Sequence, residues 1–516
     1  MSTVLPPLTP RHARAASPTL PRTSIPWARR VAGVPYSELD GGISWTPIGA
    51  NEAITWPDLA GLYRRRDLPG VESHLRDLRA QGVTVLRLML EYAHHEHRYL
   101  ERPVGRFVPA MVRLWDDLFA LCEAVGMRIL LTPFDTFFLW QRWAYHPYNR
   151  RHGGPCADRT QLLSCAATRA AVKRRLAFAS ERWGNSGALF AWDLWNELHP
   201  ALAGGDYFAL WDFVSDVSAT LRALEIRLHG RAHLQTVSFF GPDLLLHPEH
   251  NELVFRHPGL DFASTHFYAR GTIDDPRDTV AAAAATGLLV QQSIAEIRDM
   301  RPFLDSEHGP IHRFKDLHQT LPAPFDDEYF RHMQWAHLAS GGAGGGMRWP
   351  NRHPHTLTPG MRAAQRALSA FLPLIDWSTF RRRDVSRELV LRDCSTGWVL
   401  PIVAPHLTTR AGRQPTVRLA GRAAVALGCA DDSQAVVYLL AADRVGSDGR
   451  LRTDMPPRNL SISVPGLGAG RYRISEWDTL RGAPRHAYET EHTGGNFTIN
   501  HVALATDVAL AITRVR

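Results

Sequence analysis

"VESHLRDLRAQGVTVLRLML", residues 71–90, decides the architecture. Val71, Leu75 and Leu78 recur at helical spacing, so the first half is an amphipathic helix with one apolar face. Gly82 is the residue type that ends such a helix, because it enters left-handed backbone without a Cβ penalty. "VTVLRLML" (83–90) follows, continuously apolar except for Thr84 and Arg87, as a strand covered on both faces must be. A helix feeding a doubly covered strand is one unit of a parallel α/β sheet.

The unit recurs. Val112, Trp115, Phe119 and Cys122 share a helical face, Gly126 stops that helix, and "MRILLT" (127–132) is the next strand. Further strands are read at "ISWTPIGA" (43–50), "ALFAWDLW" (188–195), "LQTVSFF" (234–240), "LDFASTHF" (260–267), "RPFLDS" (301–306) and "GGGMRW" (344–349). Eight units within residues 35–380 fit a (β/α)8 barrel of the α/β class. A doubly wound sheet would carry a Gly-rich phosphate turn after its first strand, and none follows Ile43–Ala50.

Both flanks have a different character. Residues 381–516 show short alternating runs such as "NLSISVPG", "RYRISEWD" and "DVALAITRV", which predict an antiparallel β-sandwich. "SEWDT" (475–479) is read there as a strand edge packing on the barrel. Residues 1–34, rich in Pro, Ser, Thr and Arg, read as a disordered leader. The "AAAAATG" run at Ala281–Gly287 reads as a helix end.

Composition narrows the function. The net charge of +8 comes from Arg scattered among Asp and Glu, not from the basic stripe of a nucleic-acid binder. Five cysteines without CxxC pairs argue against a disulfide framework or a zinc site. No stretch reaches the ~18 apolar residues of a membrane span, and no signal peptide is recognisable, so the default expectation is a cytoplasmic protein.

A barrel of this kind carries its chemistry at the C-terminal ends of its strands. Those ends hold Arg87 and Glu91 (strand two), Asn196 and Glu197 (four), His266 and Tyr268 (six), Glu307 (seven) and Trp349 (eight). Two carboxylates on different strands suit glycoside hydrolysis, which needs one carboxyl to protonate the leaving oxygen and another to attack or to activate water. The competing reading places Glu197 and Asn196 at a helix start, as amide-facing carboxylate and N-cap. "FLWQRWAYHPYNRRHGGP" after strand three offers Trp140 and Trp143 as sugar platforms or as pins for a long loop. "EYAHHEHRY" (91–99) supplies Glu91 and His94 as subsite candidates, with a metal site as the minor alternative.

"LWNELH" followed by "LDSEHGP" resembles the acid/base and nucleophile strands of clan A retaining glycoside hydrolases, the cellulase and mannanase group of family 5. The resemblance covers the barrel. It implies Glu197 as general acid/base and Glu307 as nucleophile. It further implies Asn196 against the sugar 2-hydroxyl, Arg87, His266 and Tyr268 around the nucleophile, and Trp349 as stacking platform. The substrate implied is a β-linked oligo- or polysaccharide, cleaved without metal or organic cofactor. One departure stands out: many members carry His at the end of strand three, where "LLTPFDTF" offers Asp135. Two alternatives remain open at this point. One is a non-catalytic carbohydrate-binding scaffold, the other a transglycosylase using the same residues.

Overall fold

A computed structural model describes residues 25–91, 99–311, 321–350, 355–403 and 417–515. Its first three strands, β1 (Ala28–Arg30), β2 (Ser37–Leu39) and β3 (Ile43–Trp45), form a small antiparallel sheet. The barrel follows: β4 (Gly49–Glu52), β5 (Val85–Met89), β6 (Arg128–Thr132), β7 (Leu189–Asp193), β8 (Leu234–Thr236), β9 (Ser238–Phe240), β10 (Ala263–Phe267), β11 (Phe303–His308) and β12 (Met347–Arg348). All its neighbours pair in parallel. β8 and β9 are one stave interrupted at Val237: β8 pairs with β7 and β9 with β10, which closes the ring of eight.

Two expectations change at the N-terminal flank. The run read as strand one is two strands, because Pro47 has no N–H to donate and breaks it. Ile43–Trp45 joins the antiparallel sheet, and the stave is Gly49–Glu52. The leader expected over residues 1–34 also gives way before its end, since Ala28–Arg30 pairs with Ser37–Leu39. Ala28, Leu39 and Trp45 pack against Val85, Leu130, Phe190, Leu304 and Met347, so the small sheet plugs the N-terminal mouth.

The helices that matter for the site and its support are α1 (Leu68–Ala80), α2 (Pro109–Val125), α3 (Thr136–Arg142), α4 (Ala166–Trp183), α5 (Tyr207–His229), α6 (Gly241–Leu246), α7 (Thr279–Glu296), α8 (Ala323–Ala339) and α9 (Pro359–Phe371). Gly82 sits at φ 79° beyond α1, and a Cβ there would meet Ser369 Cβ of α9 at 2.3 Å. The turn needs glycine for its conformation and for its closeness to α9. Among the described residues, no helix is long and apolar enough to cross a membrane, and the five cysteines are free.

The C-terminal region is a sandwich of a six-stranded and a three-stranded antiparallel sheet. The larger sheet lies on α7, α8 and α9, where Trp335, Leu368 and Phe371 share a core with Leu427, Tyr438 and Trp477. Trp477 of "SEWDT" donates from Nε1 to the Ala367 carbonyl at 3.3 Å, the barrel contact expected of that stretch. The alanine run is not a helix end: Ala281–Gly287 is fully inside α7 and buried throughout. Small side chains are needed there because a Cβ on Gly287 would meet Leu427 Cδ2 at 2.7 Å. The run sets how closely the sandwich approaches the barrel.

Candidate active site

The polar residues named from the strand ends converge around one buried guanidinium. Arg87 points inward from β5 and is 1% exposed. Its Nη1 donates to Asn51 Oδ1 and Glu307 Oε2, both at 2.9 Å. Its Nη2 donates to Asp193 Oδ2 at 2.9 Å and to Asn196 Oδ1. A guanidinium this deep is stable only with carboxylates and carbonyl oxygens on most of its donors. Asn51, Asp193 and Ser238, whose hydroxyl donates to Asp193 at 2.8 Å, complete the hub. None of the three was singled out from the sequence, although a lone Asp inside the apolar "ALFAWDLW" was a signal for one of them.

Glu307 ends β11 and is 8% exposed. Tyr268 OH donates to its Oε1 at 2.6 Å, while Arg87 holds Oε2. Burial nonetheless pushes the Glu307 carboxyl up, with Glu197 adding to the rise and His266, Arg87 and Tyr268 opposing it. Glu197 follows β7 at φ 48°, left-handed backbone that is uncommon for a non-glycine residue. It starts no helix, for the next turn, Pro200–Ala203, is capped by His199. The helix-start reading therefore fails. Burial raises the Glu197 carboxyl to about 7, with Arg87 opposing the rise and the charges of Asp243 and Asp193 adding to it.

His266 lies between the two carboxyls. Its Nδ1 is 2.9 Å from Glu197 Oε1 and 3.6 Å from Glu307 Oε2. Burial lowers its pKa to about 4, so the imidazole is neutral at pH 7. One atom from each of Glu197, His266 and Glu307 lies within 4.8 Å of the others. That spacing would also accommodate a cation, as would Glu52, Asp58 and His74 outside the barrel rim. At the first set, Arg87 already supplies a positive charge 2.9 Å from Glu307.

Hydrogen bonding divides the labour between the two carboxyls. Glu307 accepts directly from a guanidinium and a phenol, both of which favour its charged form. Glu197 has only the neutral His266 ring against its carboxyl among the described residues. Hydrogen bonding therefore favours the charged form of Glu307 more than that of Glu197. Asp305 sits behind Glu307. Its Oδ1 accepts from the Glu307 amide at 3.2 Å and its Oδ2 lies 2.7 Å from His308 Nδ1.

The remaining candidates separate into rim and support. Trp349 follows β12 at the rim, 7% exposed and edge-on to Trp56 at 5.1 Å. Phe240, at the end of β9, packs 5.5 Å from Tyr268 and is an aromatic at the site that was not singled out from the sequence. Glu91 does not offer its carboxylate to a substrate: Arg175 Nη1 donates to Oε2 at 2.8 Å and the Leu100 amide to Oε1 at 2.7 Å. Trp140 carries the Arg159 guanidinium 3.5 Å above its ring, and Trp143 stacks on His146, so both pin the loop after β6. His94 lies outside the described residues. A cavity of about 230 Å³ lies between β10 and helices α6 and α7, lined by Leu244, Phe255, Phe267 and Leu289 and bordered by His266 and Tyr268.

No family model matches this chain, and no curated protein matches it. Solved structures do. A family 5 glycoside hydrolase from Bacteroides vulgatus superposes with a TM-score of 0.55 at 12% identity, over 95% of this chain and 93% of that one. A putative glycoside hydrolase from the same organism gives 0.52 at 11% identity, over 97% and 84%. The family 5 mannosidase from Rhizomucor miehei gives 0.51 at 13% identity, over 68% of this chain and 98% of its own. At such identities the likeness is one of architecture: this chain has the fold of family 5 glycoside hydrolases, and the two Bacteroides structures match it through the sandwich as well.

Proposed function

We propose that this protein is a retaining glycoside hydrolase acting on β-linked sugars. The observation that carries the reading is the spacing of Glu197 and Glu307, whose carboxylate oxygens approach within 4.8 Å. Retaining enzymes hold their carboxyls about 5–5.5 Å apart, whereas inverting enzymes leave room for a water between them. In the first step Glu307 attacks the anomeric carbon while Glu197 protonates the departing oxygen. The glycosyl ester removes the charge of Glu307, so Glu197 ionises more readily and then serves as base for the incoming water. Arg87 and Tyr268 orient the nucleophile, Asn196 donates to the 2-hydroxyl, and Trp349 offers an aromatic edge to the ring. No step calls on a metal or an organic cofactor.

The fold shared with a mannosidase makes β-mannosides the first class to try, with β-glucosides beside them. The test is turnover of 4-nitrophenyl β-D-mannopyranoside and β-D-glucopyranoside, with the anomer released followed by NMR. Glu307→Gln should abolish release while the protein stays folded. Turnover that survives this substitution would refute the assignment, and an inverted first product would refute the double displacement.

A further inference from the structure

Asp135 stands at the end of β6, beside the proposed acid/base strand, and is 6% exposed. Both of its oxygens are committed. Oδ2 accepts the Phe138 amide at 2.5 Å and caps α3. Oδ1 accepts from Asn196 Nδ2. The backbone between these residues is already fixed: the Asn196 amide donates to the Phe134 carbonyl at 2.9 Å and the Thr136 amide to the Asn196 carbonyl at 3.1 Å. Trp195 stacks on Phe134 at 5.0 Å and donates to Thr136 Oγ1 at 2.9 Å, which locks the same junction. The freedom left is the rotation of the Asn196 carboxamide.

That carboxamide has two N–H donors and an acceptor oxygen with two lone pairs. Its oxygen accepts from Arg87 Nη2, and the Ser238 hydroxyl, whose proton goes to Asp193, lies 3.4 Å away. Its nitrogen faces Asp135. Together these contacts decide which end is oxygen and which is nitrogen, and among the described residues they leave one N–H uncommitted. We propose that Asp135 is a positioning residue which clamps the Asn196 carboxamide so that this remaining N–H is presented to the sugar hydroxyl next to the reacting carbon. The inference rests on the glycoside hydrolase reading of the site. It adds a residue that touches no substrate and acts through Asn196. Burial raises the Asp135 carboxyl to about 7, with the Asn196 hydrogen bond opposing the rise; charged or protonated, its Oδ1 still accepts.

The cap and the clamp can be separated. Serine caps a helix well but is too short to reach Asn196, so Asp135→Ser keeps α3 and removes the clamp. Asn196→Ala removes the clamped carboxamide itself, and Asp135→Ser is also made in that background. Each variant, with the unaltered protein, is assayed on 4-nitrophenyl β-D-mannopyranoside and on its 2-deoxy counterpart, 4-nitrophenyl 2-deoxy-β-D-arabino-hexopyranoside. Melting temperatures are recorded alongside. In the unaltered protein, loss of the 2-hydroxyl should lower kcat/KM. The penalty should shrink by roughly 5- to 10-fold in Asp135→Ser, as expected for two coupled contacts, and should change by less than about 2-fold when Asp135→Ser is added to Asn196→Ala. An equal fall on both substrates in Asp135→Ser, or a further loss of the penalty when Asp135→Ser is added to Asn196→Ala, overturns the positioning role and leaves the enzyme assignment standing. If the unaltered protein hydrolyses neither glycoside nor the β-glucoside, the assignment falls and this inference with it.

Discussion

The two mouths of the barrel use the same staves for opposite ends. At the N-terminal mouth, Ala28, Leu39 and Trp45 of the small sheet bury themselves on Val85, Leu130, Phe190 and Leu304. At the C-terminal mouth, two residues further along the same β5 stave, Arg87 is wrapped by Asp193, Glu307 and two asparagines. Burial of apolar surface stabilises the first end by about 25 cal/mol per Å². The second end carries desolvation costs that ion pairing only offsets. A barrel can tolerate such a polar mouth because the other end and the helical shell hold the fold. The contrast predicts that substitutions at the top change rate and those at the bottom change stability.

The largest effects belong to the carboxyl pair. Glu307→Ala should lower kcat on β-glycosides by more than ~10⁴-fold, since the covalent step has no other nucleophile. Glu197→Gln should cost ~10²- to 10⁴-fold with a sugar leaving group, the usual worth of a general acid. With 4-nitrophenolate, which leaves without a proton, the cost of that substitution on the first step should be far smaller. Equal losses on both leaving groups would contradict the acid role. Glu197→Gln should not lower the melting temperature, because it removes a carboxylate that burial penalises, whereas Glu307→Ala should lower it, because Arg87 and Tyr268 lose a buried partner.

How legible these ends were in the sequence follows from the same physics. Helix and strand periods located the barrel, and the strand-end rule brought Arg87, Asn196, Glu197, His266, Tyr268, Glu307 and Trp349 together without any structure. Two kinds of signal were weak. Asn51, Ser238 and Asp193 face inward from strands and look like ordinary polar interruptions until Arg87 is seen to need them. Glu91 failed for the converse reason: the partner that neutralises it, Arg175, is 84 residues away on α4, and spacing carries no trace of such a contact. The N-terminal plug was missed because residues 25–34, although mostly apolar, were grouped with the Pro-, Ser- and Thr-rich stretch before them, and pairing with β2 makes a strand of Ala28–Arg30.

The stability side of the comparison is tested by Trp45. It is 8% exposed, packs against Phe190 at 5.0 Å, and has the Arg128 guanidinium 5.4 Å from its ring. Trp45→Ala should destabilise the fold by ~3–5 kcal/mol, read by urea titration, while kcat/KM at 25 °C stays within about 2-fold of the parent, as expected for a site remote from the chemistry. A smaller effect is expected at the seam between barrel and sandwich. Gly287→Val drives a side chain into Leu427 and should cost ~1–3 kcal/mol. If the sandwich only decorates the barrel, the two will then melt separately; a single shifted transition would show that the shared core around Trp335 and Tyr438 makes them one cooperative unit.

The finest prediction is a pH limb that only the C-terminal mouth can move. Glu197 must be protonated to act as acid, and burial holds its pKa at about 7. kcat/KM for a substrate with a sugar leaving group should therefore fall above about pH 7, approaching tenfold per unit. Asp243 raises the Glu197 pKa through its charge, and lies at the start of α6 with His199 3.6 Å from its carboxylate. Removing that charge makes ionisation of Glu197 easier, so Asp243→Asn should shift the limb to lower pH by a few tenths of a unit, the direction required when a like charge is taken away. Trp45→Ala, at the other mouth, should leave the limb where it is. A limb that ignores Asp243 but follows Trp45 would mean that the pH dependence reports unfolding rather than the acid, and the division between the two ends would not hold.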